Sequence, residues 1–313
     1  MNEQQLHVVF GTGPLGRAVA RELFASGKRV RMVNRSGKAD APAGIEVVQG
    51  NAFSVESTTA ACANAAVVYQ CAAPPYDKWV ERFPPLQAAI VEGAAAAGAK
   101  LVSAENLYMY GEVDGPIRED LPYAATTRKG SVRASMAHDL LEAHAKGRLR
   151  VAIGRGSDFF GPHVLNSVLG ERTFVPALTG KRVAAIGDID SPHTYTFIED
   201  FGKALVLLGE RDEALGQVWH VPNPETVTTR AFVTMVFEEA RQKPNVTGMG
   251  SAMMRLGGLF IPAAREMMEM MYEFQKPFIV DSSKFVQAFG NHATPLRDAI
   301  RKTVIWYRGR HRA

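Results

Sequence analysis

The sequence contains little cysteine and no long apolar run. Only two cysteines, Cys62 and Cys71, occur among the 313 residues, which excludes a disulfide framework and favours a reducing, cytoplasmic setting. No apolar stretch reaches the ~18 residues that a membrane-spanning helix needs. The first residues, MNEQQLHVVF, also lack the basic and hydrophobic regions of a signal peptide. We therefore expect neither a membrane span nor a secretory leader.

Several other signals are missing. No set of His, Cys, Asp and Glu has the spacing of metal ligands, and no nucleic-acid-binding motif is present. The net charge of +4 is mild, so it suits an anionic small ligand as well as a polyanion. We accordingly expect a small-molecule substrate and no metal or nucleic-acid partner. The 46% hydrophobic content supplies a sizeable core for one or two globular domains.

The first half of the chain alternates strand and helix patterns. Apolar runs predict strands at 6–10, 29–34, 45–50, 66–72, 100–105 and 150–156. Helical spacing follows Gly13, and further helices are predicted near 79–97 and 129–147. This alternation indicates an α/β fold with a Rossmann-type, doubly wound parallel sheet.

The second half is less regular. The runs KRVAAIG, YTFI and QVWHV predict short strands, whereas EDFGKALVLLG, TTRAFVTMVFEEARQK and TPLRDAIRKTVIWYRG predict helices. The terminal WYRGRHRA is predicted to be solvated. We expect a dinucleotide-binding domain over residues 1–161. Residues 162–313 are expected to form mainly a smaller C-terminal substrate lobe, with some segments returning to the main sheet.

A glycine-rich loop lies between the first strand and the first helix. Gly11, Gly13 and Gly16 form a G-x-G-x-x-G pattern in the strand–helix context that dinucleotide binding requires. The first glycine permits a tight turn, the second lets a pyrophosphate approach the backbone, and the third allows close packing of helix and strand. The predicted cofactor loop comprises Gly11, Thr12, Gly13, Pro14, Leu15 and Gly16.

The end of the second strand selects the form of the cofactor. An NAD site usually carries an acidic residue here, but this chain has Asn34, Arg35, Ser36 and Lys38, with no carboxylate before Asp40. Arg35 is suited to a bidentate contact with a 2′-phosphate. A solvated basic turn is the alternative. We predict that the cofactor is NADP(H).

Several further segments occur in a specific order, namely GNAF (50–53), CAAPP (71–75), MYG (109–111), GRGSDFFGP (154–162) and HTYTFIEDFGKAL. With GTGPLG, they resemble an extended, atypical short-chain dehydrogenase/reductase of the NAD-dependent epimerase/dehydratase type. The resemblance implies a homodimer through the helices near 79–97 and 129–147. It also implies additional cofactor contacts from Asn51, Ala52, Cys71, Ala72, Ala73 and Ser157.

The usual catalytic residues of that family are replaced. Asn106 stands four residues before Tyr110, where the family carries Ser or Thr, and Lys129 and Arg133 occupy the Tyr-x-x-x-Lys positions. The resemblance implies that Asn106 orients a substrate carbonyl and that Arg133 holds the nicotinamide ribose. Near a helix N-terminus and a second cation, Lys129 is disposed towards its neutral amine and could exchange protons. Tyr108, Tyr110 and Tyr123 are the alternative proton donors.

These features leave three functions open. The first is an NADP(H)-dependent oxidoreductase acting on a small carbonyl or alcohol. Its substrate would be fairly apolar if the methionine-rich REMMEMMYEF (265–274) lines the site rather than the core. The second is a non-catalytic NADP(H)-binding redox sensor. The third is an epimerase or dehydratase with bound cofactor, which the basic turn disfavours, as does His193 at a position where many nucleotide-sugar enzymes have arginine.

Overall fold

The computed structural model describes residues 5–250, 266 and 268–312. The chain divides into two compact units. Unit 1 contains the residues up to Met109, Arg128–Gly156 and Phe201–Val221. Unit 2 contains Tyr110–Thr127, Ser157–Asp200 and the residues from Pro222 onward. Within the described ranges, no helix is both long enough and apolar enough to cross a membrane.

Unit 1 is built on a seven-stranded parallel sheet. Across the sheet the strands are β3 (Glu46–Gln49), β2 (Arg29–Asn34), β1 (Leu6–Phe10), β4 (Ala65–Gln70), β5 (Lys100–Glu105), β6 (Arg150–Arg155) and β11 (Val218–His220). The order reverses between β1 and β4, as in a doubly wound nucleotide-binding fold. The structure confirms the predicted Rossmann-type α/β class, and β11 confirms the strand predicted in QVWHV.

The helices of this fold are α1 (Pro14–Ala25), α2 (Val55–Cys62), α3 (Trp79–Ala96), α4 (Arg128–Ala145) and α6 (Ile198–Glu210). Periodicity predicted all of them except α2. That short helix, VESTTAAC, has little apolar contrast between its faces. Its start is fixed instead by a cap, since the Ser57 N–H donates to Ser54 Oγ over 3.2 Å.

The core of unit 1 lies between the sheet and helices α3 and α4. Leu101 and Val151 from the sheet pack in one cluster with Ile90 of α3 and Leu140 of α4, and all four are fully buried. This packing places the two helices on one face of the sheet, and it fixes the direction in which the side chains of α4 point. The homodimer implied by these helices stays a prediction.

Unit 2 contains three small strand pairs and a helical core. Strand β7 (Phe159–Phe160) pairs with β10 (Thr196–Phe197), β8 (Val183–Ile186) with β13 (Val246–Met249), and β9 (Pro192–His193) with β12 (Val227–Thr228). Its helices are α5 (Glu171–Leu178), α7 (Thr229–Ala240), α8 (Ser283–Phe289) and α9 (Leu296–Arg312). Helix α7 begins with a threonine cap, because the Ala231 N–H donates to Thr228 Oγ1 over 3.1 Å.

The prediction of a solvated C-terminal tail was wrong for its first residues. Helix α9 continues to Arg312, and Tyr307 is fully buried. The Tyr307 ring stacks on Phe174 with a centroid distance of 5.0 Å. Helical spacing explains the error, since Tyr307 lies on the same face as the buried Ile300 and Val304. The basic composition of the tail concealed this apolar stripe.

Candidate functional site

The glycine loop lies at the carboxyl end of β1, where the strand order reverses. Gly11 has φ +104°, and a Cβ there would approach Ala72 N to 2.8 Å and Cys71 C to 2.9 Å. A Cβ on Gly16 would lie 2.0 Å from Gly11 O. Both contacts are with backbone atoms, so neither position accepts a side chain without a shift of the loop. The two predicted roles in turn formation and close packing are therefore visible in the geometry.

Gly13 faces open space. It is the N-cap of α1, Pro14 occupies the first helical position, and a Cβ on Gly13 would meet no atom within 4 Å. The first-turn N–H groups of a helix have no intrahelical acceptor and carry a partial positive charge. Together with the partly buried Thr12 and Leu15, this opening fits the pyrophosphate of a nicotinamide dinucleotide.

The side chain of Asn34 builds the turn that follows β2. Its Oδ1 accepts hydrogen bonds from the N–H groups of Ser36, over 3.0 Å, and Gly37, over 2.7 Å. Its Nδ2 lies 2.9 Å from Thr12 Oγ1 and 2.7 Å from Lys38 O. Asn34 thus joins the turn to the glycine loop and fixes where the neighbouring basic side chains begin.

Arg35 and Lys38 are exposed, and neither side chain forms an ion pair with any residue in the described part of the chain. The nearby Asp40 is bound by Arg17, with Nη1 and Oδ2 2.9 Å apart. The carboxylate that could repel an added phosphate is therefore neutralised. The turn offers two uncommitted cations at the place where the adenosine ribose is expected.

Asn51 organises the turn after β3. Its Oδ1 accepts a hydrogen bond from the Phe53 N–H over 3.1 Å, and its own N–H donates to Ser57 Oγ over 2.8 Å. The neighbouring Ala52 packs against the core of unit 1. The predicted adenine contact of Asn51 and Ala52 stays a prediction.

Cys71, Ala72 and Ala73 follow β4. Cys71 N–H donates to Phe10 O over 2.9 Å, so this segment is held against the glycine loop. Desolvation raises the pKa of the Cys71 thiol to about 12, which keeps it protonated and unreactive near neutral pH. Ala72 is half-buried against Gly11, whereas Ala73 is exposed. Cys71 is a packing group beside the cofactor loop.

A buried ionic cluster lies at the ends of β5 and β6. Glu105 and Arg155 are register partners in the sheet, and Arg155 Nε lies 3.1 Å from Glu105 Oε2. Arg133 of α4 approaches the other carboxylate oxygen, with Nη2 and Oε1 3.4 Å apart. The guanidinium of Arg133 also lies over the Phe83 ring, 4.5 Å from its centroid. All three charged side chains are 1% exposed or less.

This cluster leaves Arg133 only partly compensated. Two guanidinium groups share one carboxylate, and Arg133 Nε is buried without a hydrogen-bond partner among the described residues. Burial lowers the pKa of Arg133, Glu105 opposes that shift, and Arg155 adds to it. The predicted contact between Arg133 and a ribose stays a prediction. The guanidinium lies against Glu105 and Phe83, and Nε still lacks an acceptor.

Lys129 lies against an aromatic group that the sequence analysis did not single out. The residue is 1% exposed, and its Nζ lies 4.5 Å from the centroid of the Tyr76 ring. The Tyr76 hydroxyl is 3.4 Å from that of Tyr108, and the Tyr108 ring lies 5.8 Å from that of Trp79. A lysine and two tyrosine hydroxyls are therefore close together in unit 1.

Asn106 presents an unsatisfied donor. Its Nδ2 is buried without a hydrogen-bond partner in the described structure, while its Oδ1 lies 3.4 Å from the Tyr108 N–H. The side chains of Gln70, at the end of β4, and of its register partner Ser103 in β5 also contain buried polar atoms without a hydrogen-bond partner among the described residues. Buried polar atoms are nearly always hydrogen-bonded, so this end of the sheet is suited to a polar ligand or ordered water.

Two predicted site residues belong to unit 2. Tyr110 is 1% exposed and packs edge-on against Tyr123, with ring centroids 5.8 Å apart. Ser157 donates from Oγ to Thr194 O over 2.6 Å and from its N–H to Thr196 Oγ1 over 2.8 Å. The structure thus gives both residues roles in the folding of unit 2.

His193 is a packed core residue of unit 2. Its ring is stacked between Tyr195 and Phe278, at centroid distances of 4.5 and 4.9 Å, and its Nε2 lies 3.1 Å from Asp158 Oδ2. Phe274 of the methionine-rich segment also stacks on it, at 5.3 Å. In that segment Met270 and Met271 are buried, whereas Arg265 and Met267 lie outside the described residues. Among the described residues, no three His, Cys, Asp or Glu side chains are grouped as metal ligands.

Comparison with solved structures finds this fold in a dehydratase and in epimerases. A dTDP-glucose 4,6-dehydratase (DesIV) from Streptomyces venezuelae, with NAD bound, is 16% identical with a TM-score of 0.79, and 97% of each chain is covered. UDP-N-acetylglucosamine 4-epimerase from Bacillus cereus is 15% identical with a TM-score of 0.77, over 98% of this chain and 97% of the other. The epimerase Mth375 from Methanothermobacter thermautotrophicus is 16% identical with a TM-score of 0.82, over 99% and 94%. At these identities the likeness establishes the fold alone.

Sequence comparison is more specific at the family level. No curated protein matches the chain. The model of the NAD dependent epimerase/dehydratase family, however, matches residues 8–221, more than half of the chain. The matched range runs from within β1 to just beyond β11, so it contains the glycine loop, the ionic cluster and the Lys129 group. The chain therefore belongs to the NAD-dependent epimerase/dehydratase family.

Proposed function

We propose that unit 1 binds a nicotinamide dinucleotide and that the protein catalyses hydride-transfer chemistry of the epimerase or dehydratase kind on a hydroxylated substrate. When bound, the cofactor would supply or accept the hydride. The observation that carries the proposal is the buried, unpartnered Nδ2 of Asn106, which is suited to donate a hydrogen bond to a substrate oxygen. The open space at Gly13 supports the proposal that a dinucleotide binds in the same unit.

The family match and the solved relatives favour this proposal over the reduction of a small apolar carbonyl. One observation argues against assigning a nucleotide-sugar substrate. His193 is engaged with Asp158 and three aromatic rings, so it does not replace the phosphate-binding arginine expected in many nucleotide-sugar enzymes. We therefore assign a hydroxylated substrate without assigning a nucleotide group. A reductase remains the second candidate because the basic turn suits NADP(H), which reductases release and replace.

The reaction class is tested on purified protein. One sample is denatured to identify any nicotinamide cofactor that the protein retains, and a second, native sample is incubated with panels of sugar nucleotides, polyols and carbonyl compounds. An epimerase or dehydratase should form product without net consumption of cofactor. Stoichiometric oxidation of NADPH would instead support the reductase. Saturable cofactor binding without turnover of any compound would overturn catalysis in favour of the redox sensor.

The same proposal takes NADP(H) as the cofactor, supported by the uncommitted cations Arg35 and Lys38. Arg35→Ala should weaken NADPH binding by about 10–150-fold, because a charge-assisted contact with the 2′-phosphate contributes about 1.5–3 kcal/mol. NADH binding should change by less than about twofold, since NADH has no such phosphate. Affinities of both cofactors are measured by fluorescence titration.

The matched control is Arg29→Ala, which removes an exposed arginine at the opposite end of the same strand, β2. It should leave both affinities unchanged. Equal weakening of NADH and NADPH by Arg35→Ala, or a preference of the wild-type protein for NADH, would reject NADP(H) while leaving the proposed reaction class intact.

A further inference from the structure

Unit 1 contains a cavity at the opposite end of the sheet from the glycine loop. Its volume is about 400 Å³, and it is lined by residues at the amino ends of β1, β4, β5 and β6 and at the end of α6. The charged and titratable lining residues are His7, Lys28, Lys100, Arg150 and Glu210. Strand β1 separates this cavity from the glycine loop by about 16 Å, the length of five extended residues.

The lining carries more positive than negative charge. Lys28 Nζ lies 3.0 Å from Glu210 Oε1, and Lys100 Nζ is paired with Asp212. Arg150 donates from Nη2 to a backbone carbonyl over 2.9 Å, but it forms no ion pair with a described residue. Among the lining residues, three cations therefore face one carboxylate, that of Glu210. Asp212, outside the lining, is paired with Lys100 and also attracts Arg150.

His7, one of the lining residues, contains a buried polar atom. The residue is 1% exposed, and Nε2 has no hydrogen-bond partner among the described residues. Its Nδ1 lies 3.3 Å from the hydroxyl of Tyr69. Burial, with Lys28 and Lys100, lowers the pKa of His7 to about 4 despite Glu210, so the ring is neutral at pH 7.

The Tyr69 hydroxyl can donate to His7 Nδ1 or accept from it, so two tautomers of the His7 ring are compatible with this contact. Burial raises the pKa of Tyr69 well above its usual value, so that side chain keeps its proton. If the Tyr69 hydroxyl donates to Nδ1, the proton of the neutral ring resides on Nε2. In that tautomer the lining contains a buried N–H donor without an acceptor among the described residues, beside Arg150, which forms no ion pair with a described residue.

We propose that this cavity binds a small phosphate ester, with the phosphate accepting hydrogen bonds from His7 Nε2 and Arg150. The cavity is large enough for an organic group beyond the phosphate, because pockets for small molecules begin at roughly 300 Å³. The site is independent of the proposed catalytic function. It shares no lining residue with the glycine loop or with the basic turn after β2.

The proposal is tested by calorimetric titration of the full chain with inorganic phosphate and with glycerol phosphate. Arg150→Ala should weaken both by about tenfold, the effect of losing about 1.4 kcal/mol of charge-assisted bonding. Glu210→Gln should strengthen both, because it removes a carboxylate that repels the ligand. Lys146→Ala is the matched control, since Lys146 is 68% exposed and paired with Glu142 away from the cavity lining. It should have no effect.

A second measurement follows the His7 ring by NMR. Phosphate binding should raise the pKa of His7 from its depressed value, because a nearby anion favours the charged imidazole. Unchanged phosphate affinity in Arg150→Ala would overturn the proposal, and so would an absence of binding at millimolar phosphate. NADPH affinity should be the same in Arg150→Ala as in the wild type. Failure of this proposal is thereby distinguished from failure of the cofactor assignment.

Discussion

Replacement of Glu105 by glutamine is expected to lower the free energy of unfolding by about 3–5 kcal/mol, the usual cost of removing one partner from a buried ion pair. Glutamine has nearly the same shape, so little of this loss would come from a cavity. The substitution removes the one carboxylate shared by Arg133 and Arg155, whose side chains are 1% and 0% exposed. The effect is measured by urea denaturation at constant ionic strength.

The control is Glu142→Gln, which breaks an exposed i,i+4 pair with Lys146 and should cost about 0.3–0.5 kcal/mol. A double variant isolates the buried charge. Adding Arg133→Met to Glu105→Gln should recover part of the lost stability, because the unpaired guanidinium is removed together with its partner. Similar unfolding midpoints for Glu105→Gln and the wild type would show that Glu105 does not hold the two arginines.

The fold could be predicted well from the sequence because the apolar runs of β1, β2, β4, β5 and β6 alternate with helical patterns. The ionic cluster could not, because it depends on strand register. Glu105 and Arg155 each end an apolar strand, and only the parallel pairing of β5 with β6 brings these ends side by side. Two opposite charges at the ends of adjacent predicted strands were the signal that could have revealed this pair.

The surroundings of Lys129 and Arg133 on α4 were equally hard to predict from the sequence. Four-residue spacing correctly predicts that Lys129 and Arg133 share one helix face, and both are buried. Spacing says nothing about what covers that face. The covering rings, Tyr76 and Phe83, come from the segment at and just before the start of α3, more than forty residues earlier. Long-range packing of this kind cannot be derived from helical periodicity.

The contacts of Lys129 change the interpretation of the missing tyrosine. The family places its tyrosine and lysine one turn apart on a single helix. In this chain the lysine is on α4, whereas the hydroxyls of Tyr76 and Tyr108 come from the segments after β4 and β5. A tyrosine–lysine combination is therefore present with its members on different elements. Tyr108 is half-buried, whereas Lys129 is only 1% exposed, so Tyr108 is the more accessible candidate for the proton donor.

Tyr108→Phe is accordingly expected to lower kcat by about 10²–10⁴-fold, the range for loss of a general acid–base group. The ring and its packing on Trp79 are kept, so cofactor affinity should change by less than about twofold. The measurement is the steady-state rate with whichever substrate the panel identifies, together with the Kd for the cofactor. A loss in kcat without a loss in binding is the signature of a group that acts in the transition state.

Tyr76→Phe is the matched control. It keeps the ring above Lys129 and removes only a hydroxyl 3.4 Å from that of Tyr108, so its effect on kcat should remain below about tenfold. The Lys129→Met variant distinguishes a lysine that assists the tyrosine from a lysine that itself donates the proton. If the lysine stabilises the tyrosinate that proton donation leaves, its loss should lower kcat less than Tyr108→Phe does. If Lys129→Met abolishes turnover and Tyr108→Phe does not, the proton comes from Lys129, and the tyrosines serve only to cover it.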